Sequence, residues 1–184
     1  MIYLIRHAQS SANAGGRTKF TAETPLSEKG IKQAEEVVSK IGKKPDLIVV
    51  SPYIRTRETA QPLISKYPDI PVEEWNVQEF TYLGYVSYNG TTEKDREKWN
   101  LDYFNRNDPD YIREEGAESF NQMMARVDNL IEKARNYKDK GKFVVIYTHG
   151  RFMKAVNMRL QNIEPSIENL LKMPAVNNTE ILEI

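Results

Sequence analysis

The chain has 184 residues, 40 % of them apolar and 28 % charged, which suits one globular domain with a sizeable core and excludes a disordered chain. Its 26 basic and 26 acidic side chains cancel, so no global field favours nucleic acid or an anionic membrane. With no cysteine, disulfides, thiolate metal sites and a cysteine nucleophile are all excluded.

Taken in chain order, Ile2 to Ile5 is a short, partly β-branched apolar run that predicts a buried strand. It is far too short for a signal-peptide core or a membrane span, and charge arrives at once with Arg6, so a soluble cytoplasmic protein is expected. The polar stretch Gln9 to Thr24 reads as a loop. Ser27 is placed to cap a helix whose apolar face is Ile31, Ala34, Val37, Val38 and Ile41, closed by Gly42. Leu47 to Val50 predicts a second buried strand, ending in Ser51-Pro52, and Tyr53 to about Ser65 a second helix that Pro62 should limit or kink. Pro68 to Glu74 allows one short strand.

From Trp75 to Tyr111 aromatic and charged residues mix, with helical segments expected around Glu93 to Asn105; this reads as an insertion of about residues 75–116 on the main domain. Lys94, Arg96 and Lys98 alternate with Glu93, Asp95 and Glu97, the pattern of a solvated face. Phe120, Met123, Met124, Val127, Leu130, Ile131 and Ala134 mark a long amphipathic helix with the Met pair in the core. Phe143 to Tyr147 predicts a third buried strand, followed by Thr148-His149-Gly150 and a helix to about Leu160, and Glu180 to Ile184 an edge strand. Strands alternating with helices across short joints predict parallel βαβ units and an α/β fold.

The chain's only two histidines, His7 and His149, each lie just past the C-terminal end of a predicted strand, the edge where open α/β sheets bind ligands. Ser51-Pro52-Tyr53-Ile54-Arg55 follows a third. If those strands are neighbours, two imidazoles and the guanidiniums of Arg6 and Arg55 converge on one crevice. Arginine forks grip phosphate oxygens, and a neutral imidazole attacks phosphorus well and leaves readily. Two histidines without HxH or HExxH spacing disfavour a metallohydrolase.

The segments LIRHAQSSAN, SPYIRTRETA, VQEF and THG resemble, in content, order and spacing, the histidine phosphatase superfamily, also called phosphoglycerate mutase-like proteins. The resemblance spans nearly the whole chain and implies one domain over 1–184, a three-layer α/β/α fold with a mostly parallel central sheet, and no cofactor. It also implies hydrolysis of a small phosphomonoester through a phosphohistidine on His7, with Arg6, Arg55, Asn13 and His149 as donors to the phosphate. Gly150 lets the backbone approach the anion at a helix N-terminus. Glu79, in VQEF, matches the family's general acid. On the residues alone, Asn13 could equally shape its loop and Glu79 be a solvated carboxylate. Glu118-Ser119 reads as structural or rim-forming and Arg57 as a surface charge. Arg151 is a substrate contact or a solvent-facing helix start, and Tyr82, Tyr85 and Tyr88 either line a substrate mouth or pack locally. Ala8 stands where the family usually has glycine, and Gln9-Ser10 where it has an acidic residue and threonine. The alternatives are a phosphoglycerate-type mutase, which returns the phosphoryl group to a bound acceptor, and a non-catalytic phosphate-binding module. The expected partner is a small phosphorylated substrate, with no nucleic acid and no membrane, for a monomer or homodimer.

Overall fold

The computed structural model describes residues 1–18 and 20–184. Five strands form one sheet: β1 (Ile2–Arg6), β2 (Leu47–Val50), β3 (Val72–Glu74), β4 (Val144–Thr148) and β5 (Ile181–Glu183). Their order is β3-β2-β4-β1-β5, with β5 antiparallel to β1 and every other pairing parallel. β1, β4 and β2, the strands that precede the two histidines and Ser51, are therefore adjacent at the centre. Register pairs Arg6 with Thr148 and Val50 with Tyr147, which brings the three C-terminal ends level.

Period-two alternation divides the strands between two cores, as expected of strands covered on both faces. Ile5, Ile48, Val50, Val145 and Tyr147 pack under α1 (Glu28–Lys40) and α2 (Ile54–Lys66). Leu4, Val49, Val144 and Ile146 face α5 (Phe120–Asp139), α6 (Gly150–Leu160) and α7 (Ile167–Lys172). This is the expected three-layer α/β/α arrangement. Among the described residues, no helix is long and apolar enough to cross a membrane.

Several expectations need correction. Ile31 is 54 % exposed and lies off the buried face of α1, which is built by Gly30, Ala34 and Val37. Helix α2 runs through Pro62 to Lys66, because Ala60 and Leu63 on either side are fully buried and outweigh one lost backbone bond. The short helix α3 (Tyr85–Tyr88) and α7 carry no periodic signal long enough to announce them. The segment 75–116, with α4 (Glu93–Arg106), sends Trp75, Val77, Phe80, Tyr82, Leu83 and Tyr103 into the larger core. Its aromatics pack edge to face around Phe80, which stands 5.9 Å from Tyr103 and 6.4 Å from Phe120.

Candidate active site

The C-terminal edge of β1, β4 and β2 opens into a cavity of about 200 Å³. Its wall includes Arg6, His7, Ser10, Asn13 and Arg55, together with Glu79 and other residues of the 75–116 segment.

His7 continues β1, donating its backbone N–H to the Thr148 carbonyl at 2.9 Å and receiving Asn178 Nδ2 on its own carbonyl at 2.9 Å. Its ring is 3 % exposed. Nδ1 lies 2.7 Å from the Ala8 carbonyl, and Arg55 Nε donates to Nε2 at 3.2 Å. A carbonyl only accepts and a guanidinium only donates, so the two contacts fix one tautomer: proton on Nδ1, lone pair on Nε2. Burial, then the nearby Arg55 charge, hold the His7 pKa well below its usual value, so the ring is neutral.

Ala8 donates its N–H to Thr59 Oγ1 at 3.0 Å and has no positive φ, so the glycine that its position resembles is not required there. Gln9 turns from the cavity: its side chain accepts from Ser27 Oγ at 2.8 Å, at the cap of α1. The close approach of α1 depends on Gly30, where a Cβ would overlap the Gln9 carbonyl oxygen. The missing family carboxylate at Gln9 therefore does not alter the cavity wall.

Arg55, 6 % exposed on the first turn of α2, bonds through three of its five N–H groups: Nε to His7, Nη2 to His149 Nδ1 at 3.1 Å, and Nη1 to the Thr21 carbonyl at 2.6 Å. His149 is wholly enclosed and caps α6 behind Arg55 rather than standing on the cavity wall. Since Nδ1 accepts from Arg55, Nε2 carries the proton and donates to Ser51 Oγ at 2.7 Å. Ser51 in turn reaches Thr56 Oγ1 at 3.0 Å, and Thr56 donates to the Tyr53 carbonyl at 2.7 Å. Burial, followed by the Arg55 charge, also holds the His149 pKa well below its usual value. His149 thus meets the cavity-lining Arg55 directly.

Arg6 ends β1, anchored by Nη1 to the Val176 carbonyl at 2.6 Å. Gly150 stands behind it, where a Cβ would lie 3.2 Å from Arg6 Nε, so this glycine makes room for the arginine. Asn13 lies on the wall, held to Ser10 by two hydrogen bonds of 3.2 and 3.3 Å, with Nδ2 turned towards Glu93 Oε1 at 3.4 Å.

Glu79 reaches the cavity because its segment is tied to the sheet. Thr148 Oγ1 donates to the Val77 carbonyl at 2.6 Å, and Arg126 Nη1 to the Asn76 and Gln78 carbonyls, each at 3.0 Å. Glu118 holds Arg126 through two contacts, 2.6 and 3.0 Å, and accepts from Thr81 N. That is the structural role expected of it, while Ser119 caps α5. The Glu79 carboxylate accepts the backbone N–H groups of Phe80, Arg151 and Phe152 at 3.0–3.2 Å, placing it at the positive end of the α6 dipole.

Sequence reasoning offered Tyr82, Tyr88 and Arg151 as alternatives for the far wall but missed Arg96, Glu93, Asn100 and Thr18. Arg96 is not on a solvated face: it is 5 % exposed, bonded through Nη1 to the Thr91 carbonyl at 2.9 Å, stacked on Tyr88 at 4.8 Å, and lines the cavity. Tyr82, Tyr88, Asn100, Glu93, Thr18 and Arg151 line it too, whereas Tyr85 is 64 % exposed. Arg57 is an exposed partner of Glu74, as expected of a surface charge. Among the described residues, no carboxylate lies within 4.0 Å of the guanidinium group of Arg6, Arg55, Arg96 or Arg151. Buried cations without a carboxylate partner are costly, and an anionic ligand supplies what is missing.

Residues 2–184 match the family model of the histidine phosphatase superfamily (branch 1). A metal-independent phosphoserine phosphatase of Arabidopsis thaliana is 30 % identical over 165 residues, 86 % of this chain and 68 % of that protein. A 2,3-bisphosphoglycerate-dependent phosphoglycerate mutase of Gloeothece citriformis is 23 % identical over 206 residues, covering 89 % and 85 %. Among solved structures, a mycobacterial glucosyl-3-phosphoglycerate phosphatase superposes with a TM-score of 0.75 at 25 % identity, covering 97 % of this chain and 89 % of that one. A match that runs from β1 to the last strand, over a sheet edge already shaped for an anion, leaves one conclusion: the chain belongs to the histidine phosphatase superfamily, branch 1.

Proposed function

We propose that this protein hydrolyses the phosphomonoester of a small metabolite through a phosphohistidine on His7, without a metal or other cofactor. The observation that carries this reading is the state of His7 on the arginine-lined cavity wall: buried, neutral, its Nδ1–H held by Ala8 and its Nε2 lone pair accepting from Arg55 Nε. Arg6 and Arg55, with Asn13, receive the phosphate, and their charge offsets the negative charge spread over its oxygens in the transition state. As Arg55 Nε–H turns from His7 to the phosphate, the freed Nε2 lone pair forms the N–P bond while the ester P–O bond breaks, and Glu79, having taken up a proton as the substrate binds, gives it to the leaving oxygen. Water then attacks phosphorus, Glu79 takes back a proton, the N–P bond breaks and inorganic phosphate leaves. His149 and Gly150 serve by fixing Arg55 and Arg6.

A second reading, a mutase, draws support from Arg96. This is a basic group of the 75–116 segment turned into the cavity, where it could hold a phosphorylated acceptor against the phosphoenzyme. We read residues 1–184 as one domain with that segment as its insertion, in a cytoplasmic monomer or homodimer.

The test is phosphate release from a panel of phosphorylated metabolites by EDTA-treated protein beside its His7→Ala variant, with acid-labile phosphoenzyme trapped in parallel. Release and trapping by the wild type alone support the hydrolase. A phosphoenzyme that turns over only when a second phosphorylated acceptor is added supports the mutase. Neither release nor phosphoenzyme, with retained ligand binding by His7→Ala, assigns the fold to a binding module.

A further inference from the structure

Arg151 is the one cavity arginine whose side chain has neither a hydrogen bond nor a carboxylate within 4.0 Å among the described residues. Its backbone is fixed by the same Glu79 carboxylate that faces the reaction, through a bond of 3.1 Å to Arg151 N. Its guanidinium lies over the Tyr82 ring at 4.9 Å and near Phe104 at 5.9 Å. Stacking engages the face of a guanidinium and leaves its in-plane N–H donors available, a fork that matches a carboxylate. The group is therefore held in place without its hydrogen-bonding edge being used.

The cavity also limits what reaches that edge. About 200 Å³ falls below the roughly 300–1,000 Å³ of sites for drug-sized ligands. A phosphate fills much of it, leaving space for a few heavy atoms. Glu93 on the same wall sets a negative charge against a second dianionic phosphate and tolerates a singly charged group better.

Resting on the hydrolytic reading above, we propose that Arg151 determines specificity by gripping a carboxylate of the substrate. The preferred substrates are thus phosphomonoesters of short hydroxy or amino acids, and bisphosphates and uncharged alkyl phosphates are poor ones.

The experiment compares kcat/KM within pairs that differ only by the carboxylate: O-phosphoserine against O-phosphoethanolamine, and 3-phosphoglycerate against 2-hydroxyethyl phosphate. It uses wild type, Arg151→Met, whose straight apolar stem keeps the contact with Tyr82, and Arg151→Lys. Wild type is expected to prefer the carboxylated member of at least one pair by roughly 10- to 100-fold, the worth of a charge-assisted hydrogen bond. Arg151→Met brings that ratio to within about threefold of one, and Arg151→Lys recovers part of it, since a lysine keeps the charge but not the fork. Absence of a preference in wild type overturns the proposal, as does an equal loss on both members in Arg151→Met, which marks a role through Glu79 or the start of α6. Phosphoenzyme trapping separates the two failures. Turnover of any of the four through a phosphohistidine without carboxylate preference sinks the assignment of Arg151 alone; no turnover of the four sinks the substrate proposal, and the hydrolytic reading falls with it only when the wider metabolite panel also yields neither phosphate nor phosphoenzyme.

Discussion

Ser51→Ala is expected to damage the protein well beyond the loss of one surface-type hydroxyl. Ser51 Oγ receives His149 Nε2–H at 2.7 Å and the Tyr53 N–H at 3.2 Å, and contacts Thr56 Oγ1 at 3.0 Å. His149 is fully enclosed, so water cannot replace the lost acceptor. An imidazole N–H left buried without a partner costs about 1–3 kcal/mol, and the half-buried Tyr53 amide adds about 1, giving a total of roughly 2–4 kcal/mol. For a chain of this size that lowers Tm by about 5–15 °C. Guanidinium denaturation at pH 7.5 measures it directly, provided the slope with denaturant is unchanged. Activity falls as well, because His149 turns to seek another partner and Arg55 loses its fixed orientation. Adding His149→Phe completes a double-mutant cycle, with a coupling energy expected at about 1–2 kcal/mol, because removing both partners no longer leaves the His149 Nε2–H buried without an acceptor. A loss under about 0.5 kcal/mol together with negligible coupling would refute the directed chain from Arg55 through His149 to Ser51.

Both histidines titrate below their ordinary value in the folded protein, and an unfolded histidine binds a proton near pH 6.5, so the unfolded chain holds more protons below that pH. Their contribution to stability is fully present above pH 6.5 and is lost as pH falls, with a slope of at most about 2.7 kcal/mol per pH unit from the two groups; a flat profile between pH 7 and 5 contradicts the neutral state of both. The deprotonated His7 is the nucleophile, so the acid limb of kcat/KM should fall below pH 6.5. Glu79→Gln is expected to slow alkyl phosphates by about 10²- to 10⁴-fold and p-nitrophenyl phosphate, with its better leaving group, much less. Glu118→Gln should instead cost about 2–3 kcal/mol of stability through Arg126, without that dependence on leaving group; the reverse pattern in rates and denaturation curves exchanges the two assignments.

The strands, the long helices and their order could be read from the chain alone, because each buries a face whose spacing is written in consecutive residues. β2 is the run LIVV, and α5 repeats its apolar positions at helical spacing over Phe120 to Ala134. The near cavity wall was legible for the same reason: Arg6, His7 and Arg55 lie beside elements whose ends are marked, and parallel strands bring those ends to one edge. Where a long side chain turns after that is settled by contacts distant in sequence. Arg96 sits in an alternating charge run that reads as solvated, and only its bonds to Thr91 and its stacking on Tyr88 bury it in the cavity. His149 was expected among the phosphate donors; Ser51, 98 residues away, accepts its Nε2–H, and Arg55 donates to its Nδ1. Gly150 makes room for Arg6, and Val176 and Asn178 brace Arg6 and His7 from the far end of the chain. Local pattern thus determined which elements form and where the chemistry gathers. The direction of each charged group, and with it the lining of the far wall, was decided by tertiary packing, because burying a charge depends on partners that no local spacing records.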